Sequence, residues 1–496
     1  MRSIFLIFII AFSLPAKATT YYVSNAGNNA NNGLTTGTSW RTLSKVQSSG
    51  NAGTIVAGDS VLFNRGDSWY EFLHWWSING GSCQSGTNGN PIYFGAYGTG
   101  AKPNFAFPIA NPAADDSRNV FEFLGIDWIV CENLSVMDTV VQGKILPANT
   151  TSAFLLGGYP DVPNTNNVIR NCRIDNVGLG ITVTGSYNTF LYDTITDLKN
   201  VQNTPIGTDD DYGSNSYTIT GSHNIIMFNY LSGAWSESLD YGWNGGCFEM
   251  FDECDSNIVM YNTIVDCGGV SEYGAFADNV VSSGNVYAYN KIINVGGVAY
   301  VNVNGTFDME PDNLCFFNNV IIENDDSRFS GPNTGAGNTQ PVSPEPDQFS
   351  FNGTPIASVV YNLRNNIFSL VTGIDVARSS SASKITHQNN FYRLLSGGVL
   401  NYTLGGSELQ NTTQIWVDTS LSTNPALWDY RLVSTADARG LAQSLASQFS
   451  GYGVTYNDYS GQPVTTPYDA GILQYIVPPT YRNNYSKKNK RYQNAP

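Results

Sequence analysis

The chain has 496 residues, only 13% of them charged, with 40 Asp and Glu against 24 Lys and Arg and a formal net charge of −16. That balance repels nucleic acid and anionic membrane surfaces, and it would repel a polyanionic substrate unless cations intervene. Asn, Gly, Ser, Thr and Tyr dominate while helix-forming runs are scarce, which points to an all-β chain long enough to bury a large core.

At the start, Arg2 precedes "IFLIFIIAFSL", an apolar run too short to span a bilayer, and Ala16-Lys17-Ala18 fits a small-x-small cleavage site. Residues 1–18 are therefore expected to be a secretory signal peptide, cleaved near Ala18. Its removal leaves a net charge of about −18. No later stretch is apolar enough for a membrane helix, so a secreted or periplasmic product that does not engage membranes is expected. Seven cysteines follow: Cys83, Cys131, Cys172, Cys247, Cys254, Cys267 and Cys315. An odd number leaves at least one unpaired within the chain, and no CxxC metal spacing occurs. Most sit in apolar, strand-like runs and read as small buried hydrophobes, with a Cys247–Cys254 bridge as the alternative.

The organising signal is a repeat. An eight-residue phrase has Asn first, apolar residues next, Asn or Asp sixth and an aliphatic eighth. It occurs as "NVIRNCRI" from Asn167, with Cys172 in the sixth place, and as "NTFLYDTI" from Asn188, "NIIMFNYL" from Asn224, "NIVMYNTI" from Asn257, "NVYAYNKI" from Asn285 and "NLCFFNNV" from Asn313. Looser copies are "DWIVCENL" from Asp127, "VYNLRNNI" from Val360 and "KITHQNNF" from Lys384. Successive starts lie 40, 21, 36, 33, 28, 28, 47 and 24 residues apart. A minimum period just above twenty, built of short strands and turns, is one rung of a solenoid that buries its core by stacking. The excess length must be loops, long after Asp193, after Asn229 and after Asn318, and such insertions at certain corners build a groove on one side. Asn229, Asn262, Asn290, Asn318, Asn365 and Asn389, all sixth in the phrase, read as a structural amide ladder rather than as substrate contacts.

With "TYYVSNAGNNANNG", "SWRTLSKV", "AGDSVLFNRGDSWYEFL", "SGTNGNPIYFGAYGTGAKP" and "YNDYSGQPVTTPYDAGILQY", the chain resembles the right-handed parallel β-helix proteins of the pectate-lyase-like superfamily, in their secreted Bacteroidetes-type form. The resemblance spans nearly all of the mature chain. It implies a single-domain right-handed parallel β-helix with an N-terminal cap helix and loops forming a groove. The superfamily holds lyases, hydrolases, epimerases and non-catalytic adhesins, so the resemblance implies fold more than chemistry. The expected layout is cap and first rungs over 19–115, the regular helix over 116–400, closing rungs over 401–477 and a flexible basic tail over 478–496. Residues 330–350, rich in Pro and Gly, read as a long external loop.

For chemistry, the strands before each phrase matter. "ITVTGSYN" (181–188), "YTITGSHN" (217–224) and "FEMFDECDSN" (248–257) are one element, which puts Glu249 where Thr182 and Thr218 stand and Asp252 where Gly185 and Gly221 stand. Alternation sends Phe248 and Met250 to the core and Glu249 outward. In "CGGVSEYGAF" Glu272 falls near the same register one rung on, to within one residue. Two stacked carboxylates share a proton, the division that acid/base chemistry needs. Glu249 is thus one candidate catalytic carboxylate, with Glu272 or Asp252 as partner. Flanking insertions supply Tyr212, Trp235, Asp240, Tyr241 and Trp243, with Tyr273 close by, as candidate sugar contacts. The three aromatics Trp235, Tyr241 and Trp243 could equally roof the helix. Asp209, Asp210 and Asp211 are candidate Ca²⁺ ligands, and "FDMEPDN" (307–313) reads as an acidic turn. For β-elimination, Lys291 or Tyr273 would be the base. His223 in "GSHN" reads as structural.

The expected function is hydrolysis of glycosidic bonds in a neutral or weakly charged polysaccharide or oligosaccharide, by a monomer needing no cofactor. The alternatives are a Ca²⁺-dependent polysaccharide lyase and a non-catalytic β-helix adhesin or carbohydrate-binding protein.

Overall fold

Three long sheets, within each of which every strand pairing is parallel, run the length of the computed structural model. The structure describes residues 18–106, 119–137, 152–158, 162–202, 212–238, 242–275, 280–303, 309–323, 347–351, 353–355, 357–370, 374–395, 398–413, 415–418, 429–433, 435–449, 457–466 and 468–473. The first sheet has twelve strands from Thr20–Val23 to Ile385–Gln388, the second twelve from Ser68–Trp69 to Leu409–Gln410, and the third ten from Leu73–Trp76 to Asp375–Ala377. The chain visits them in turn, as in Val168–Arg170, Arg173–Asp175 and Leu179–Val183, then returns to the first sheet at Thr189–Leu191. Each visit hydrogen-bonds to the previous rung, which makes a parallel β-helix.

Short strands with one inward residue in two fill the interior: Ile226, Leu231 and Phe248 in one rung, Val259, Ile264 and Tyr273 in the next, all buried. Like residues stack between rungs, Phe121 on Phe154 at 5.0 Å and Tyr217 on Phe248 at 5.4 Å. A helix over Leu43–Asn51 buries Leu43 and Val46 in the core of the first rungs. Its free N-terminal amides are met by Thr42, which accepts from Lys45 N, and by the Glu71 carboxylate, which accepts from Leu43 N at 3.0 Å.

Two amide columns brace the first sheet. At the strand starts, the amides of Asn188, Asn224 and Asn257 donate to Oδ1 of Asn224, Asn257 and Asn285, each at 2.9 Å. At the strand ends, a second column runs from Asp193 through Asn229, Asn262, Asn290, Asn319 and Asn366 to Asn390, where Nδ2 donates to Glu408 Oε1 at 2.8 Å. This corrects the register expected for its far end. Asn318, Asn365 and Asn389 are not rungs of the column. They occupy the left-handed turn one residue earlier, at φ 54°, 59° and 59°, where Tyr192, Phe228, Tyr261 and Tyr289 stand in the preceding rungs.

Insertions leave the helix where the second sheet hands over to the third, between Phe105 and Phe121, Met137 and Ser152, Leu198 and Asn215, Ala234 and Gly246, and Glu323 and Asp347. Residues 330–346 of the expected 330–350 loop lie outside the described residues, while Asp347–Phe351 is a fully buried strand of the third sheet. In "FDMEPDN", Met309–Asp312 is likewise a strand, parallel to Val280–Ser283, rather than a turn.

All seven cysteines are buried free thiols, so Cys247 and Cys254 form no bridge. Cys254 Sγ instead lies 3.4 Å from Ser282 Oγ. Among the described residues of the expected closing rungs, only Leu409–Gln410 joins the three long sheets. Beyond it, an antiparallel pair Trp416–Asp418 and Asp429–Leu432, a short helix Ala446–Phe449 and the stretch to Leu473 pack back along the outside of earlier rungs. Among the described residues, no helix is long and apolar enough to cross a membrane.

Candidate active site

The third sheet presents an outer face on which residues fall into a column set by strand register. From the N-terminal end it reads His74, Glu122, Leu155, Thr182, Thr218, Glu249, Glu272, Tyr300 and Ser350. Glu249 pairs directly with Glu272, so the one-residue ambiguity of the sequence resolves to zero shift. Within Gly246–Phe251, Phe248 and Met250 are buried and Glu249 and Phe251 half-buried, the alternation of an amphipathic strand.

Glu249 is held from the preceding rung. Asn215 Nδ2 and Thr218 Oγ1 both donate to Oε2, the latter at 3.4 Å, and Asn215 Oδ1 accepts from Gly246 N at 3.1 Å. Burial raises the Glu249 pKa, and the Thr218 and Asn215 bonds oppose the rise. Glu272 accepts no hydrogen bond from a described residue. Its pKa is pushed up to about 7, by desolvation first and by the Glu249 charge second. By surface area the Glu272 side chain is exposed. The like charge of Glu249 stands one rung away. Tyr300 follows Glu272 on the next rung, its phenol raised by burial and by Glu272.

Two ribbons rise beside this pair. Asn200–Gln202 pairs antiparallel with Tyr212–Gly213 just before the strand of Thr218, and Ser236–Ser238 pairs antiparallel with Gly242–Asn244 just before the strand of Glu249. They are pinned together through Ser236 Oγ, which lies 2.7 Å from Ser214 Oγ and donates to Asn200 Oδ1 at 2.5 Å. Tyr212 and Trp235 are half-buried on these ribbons, and Trp243 lies opposite Glu237 in the second. Asp209, Asp210, Asp211, Asp240 and Tyr241 lie outside the described residues. Among the described residues no group of three His, Cys, Asp or Glu could hold a metal ion.

Three expectations change. Asp252 is not beside Glu249. It occupies the turn after the strand at φ 56°, three residues or about 10 Å along, because the strand ends at Phe251. Tyr273 is fully buried and its hydroxyl lies 3.0 Å from that of Tyr287, because it follows Glu272 in an alternating strand and so faces inward. It can be neither a sugar contact nor a base. Lys291 is on the second sheet, its Nζ 4.7 Å from the ring of Tyr459, remote from the acid column. His223 stacks on Tyr187 at 4.9 Å in a turn, as a structural residue would.

Sequence reasoning missed Asn215, Tyr300 and the His74–Glu122 pair. In the latter, Nε2 and Oε2 are 3.7 Å apart and burial pushes the nearly enclosed Glu122 up to about 7. Tyr300 was findable, since "GGCFE", "GGVSE" and "GGVAY" align Glu249, Glu272 and Tyr300 at one position.

No family model matches the chain, and no curated protein does. Among solved structures, pectate lyase Pel9A is similar over 93% of this chain and 97% of its own, with a TM-score of 0.53 and 15% identity. The GH136 lacto-N-biosidase from Eubacterium ramulus covers 77% of this chain and 68% of its own at 14% identity, with a TM-score of 0.43. A rhamnogalacturonan lyase covers 75% and 87% at 16% identity, with a TM-score of 0.44. The chain is thus a parallel β-helix whose fold is similar to that of pectate lyase Pel9A, and at these identities the likeness establishes the fold alone.

Proposed function

We propose that this protein is a carbohydrate-active enzyme that hydrolyses glycosidic bonds of a neutral polysaccharide or oligosaccharide, with Glu249 and Glu272 as its catalytic pair. The observation carrying the proposal is the direct register of these two carboxyls on the outward face of the third sheet, beside the two ribbons. Two carboxyls so placed do not ionise independently, so near neutral pH one holds a proton while the other is a carboxylate, the state that glycosidic cleavage requires. Tyr212 and Trp235 would offer ring faces to the sugar. The name of the similar pectate lyase supports a carbohydrate substrate for this fold.

Hydrolysis is favoured over elimination because neither Tyr273 nor Lys291, the expected bases, reaches the acid column. The protein would act as a secreted or periplasmic monomer. No cofactor is required by this reading, and calcium held by Asp209, Asp210 and Asp211 belongs to the elimination alternative.

The test is incubation of the mature protein with a polysaccharide panel, following reducing ends, ultraviolet absorbance of unsaturated products and sensitivity to EDTA. Reducing ends without absorbance are expected. Glu249→Gln should lower their release by about 10³-fold or more, within the range of acid–base contributions. Calcium-dependent absorbance would replace hydrolysis with elimination, and silence on every polymer would leave a non-catalytic binding protein.

A further inference from the structure

We infer that the pair works by double displacement with retention of anomeric configuration, Glu249 as nucleophile and Glu272 as acid/base. The inference rests on the hydrolytic reading and goes beyond it.

Rung geometry is the reason. Adjacent parallel strands lie about 4.8 Å apart, and in-register residues project from the same face in the same direction. Glu249 and Glu272 are in register and equal in length, so their side chains leave the sheet about one rung apart and their carboxyls can meet a sugar at about that spacing. Retaining glycosidases place their carboxyls about 5–5.5 Å apart, whereas inversion needs about 6.5–9.5 Å to admit a water between carboxylate and sugar. The rung spacing lies nearer the first distance than the second.

The roles follow from what holds each group. A nucleophile must be ionised and fixed. Glu249 receives hydrogen bonds from Asn215 and Thr218, both on the side away from Glu272, and such bonds favour the charged form. Glu272 has no such donor among the described residues and faces the Glu249 charge, which favours its protonated form. The shared proton therefore resides on Glu272.

The steps balance. A Glu249 oxygen attacks the anomeric carbon while the glycosidic C–O bond breaks, and the leaving oxygen takes the Glu272 proton. Water then attacks the anomeric carbon of the glycosyl ester, and its proton passes to the Glu272 carboxylate. The ester C–O bond breaks, Glu249 leaves as carboxylate, and Glu272 is protonated again.

The mature protein is incubated with xylan, arabinan, galactan, mannan and mixed-linkage glucan, and the anomer first released is read by proton NMR before mutarotation. The 2-deoxy-2-fluoro glycosyl fluoride of the released sugar is then added, and the labelled peptide is mapped by mass spectrometry. Retained product and a label on Glu249 are expected. Glu272→Ala should lose about 10³-fold on polymer and form the retained glycosyl azide when azide is supplied. Circular dichroism of each variant confirms folding. Inverted product, or a label on another residue, overturns double displacement at Glu249 while hydrolysis stands. Reducing ends from none of the five polymers would overturn the hydrolytic reading on these substrates and this inference with it.

Discussion

Asp193 heads a column of amides and is chemically out of place there. Each Asn below it accepts the backbone N–H of the preceding column residue and donates Nδ2 to a carbonyl, as Asn229 does to Phe190 O and Asn262 to Ile226 O. By the same spacing, Asp193 should donate to the carbonyl of Ile169, and only a protonated carboxyl can do so. Asp193 accepts from Cys172 N at 2.7 Å through Oδ1, while Oδ2 is buried without a hydrogen-bond partner. Burial accordingly pushes its pKa up to about 8 from an ordinary 3.8. Between those values the folded protein holds a proton that the unfolded chain has released, so stability falls as pH rises from about 4 through 8. Below that window both states are protonated and the cost is absent. At about 1.4 kcal/mol per unit, the full cost above pH 8 is a few kcal/mol. Asp193→Asn should therefore melt several degrees above the parent at pH 8.5 and at the same temperature near pH 4, in scans across that range. Equal melting temperatures at both ends would mean that Asp193 is not the protonated member of the column.

The amide columns act as elements because each side chain serves two rungs. Asn262 accepts Asn229 N–H and donates to Ile226 O and to Asn290 Oδ1. Asn262→Ala leaves buried backbone groups unpaired at about 1–3 kcal/mol each, and should cost about 2–4 kcal/mol in urea unfolding. Phe228→Asn, one residue before a column position at φ 62°, should stay within about 1 kcal/mol of neutral. There, relief of left-handed strain offsets the lost ring stack on Tyr192 and Tyr261. The sequence made the repeat legible but misread the column beyond Asn290 for a physical reason. In "NNVII", "NNIF" and "NNFY" either Asn fits, and period-two alternation should decide. It cannot, because Val320, Ile367 and Phe391 face outward yet are as apolar as the inward Ile321, Phe368 and Tyr392. The cover that makes them apolar comes from the segment beginning at Ile415, which lies later in the chain than all three. The acid pair was legible because Phe248 and Met250 flank Glu249 in a strand with only one buried face. Asn215 was not, since its contact with Glu249 crosses a rung and leaves no local pattern.

At the scale of the molecule, the three outer faces have different fates. The C-terminal segment covers the second sheet, with Ile415, Trp416, Tyr430 and Leu432 against Val265, Ile293, Val320, Ile322, Ile367 and Phe391. It also covers the later rungs of the first, with Leu445 and Phe449 against Met260, Val286, Tyr289 and Phe317. Tyr459 ties it down, its hydroxyl 2.8 Å from Thr263 Oγ1. The third sheet keeps a mainly polar column outward, with Glu249 and Glu272 in it. Covering and catalysis are thus assigned to different faces of one solenoid. Deleting residues 411–496 would uncover the apolar strips on two faces and leave the acid column in place. Such a chain should keep a β-rich circular dichroism spectrum, bind a hydrophobic dye, aggregate at lower concentration and melt well below the parent. Phe449→Ala gives a milder version, with a loss of about 3–5 kcal/mol for a buried aromatic. Reducing-end release by that variant, measured below its melting temperature, should match the parent because Phe449 packs on Tyr289 and Phe317 at the first-sheet flank, whereas the acid pair lies on the third sheet. A loss of activity there without loss of structure would show that the C-terminal segment reaches the chemistry and is more than a cover.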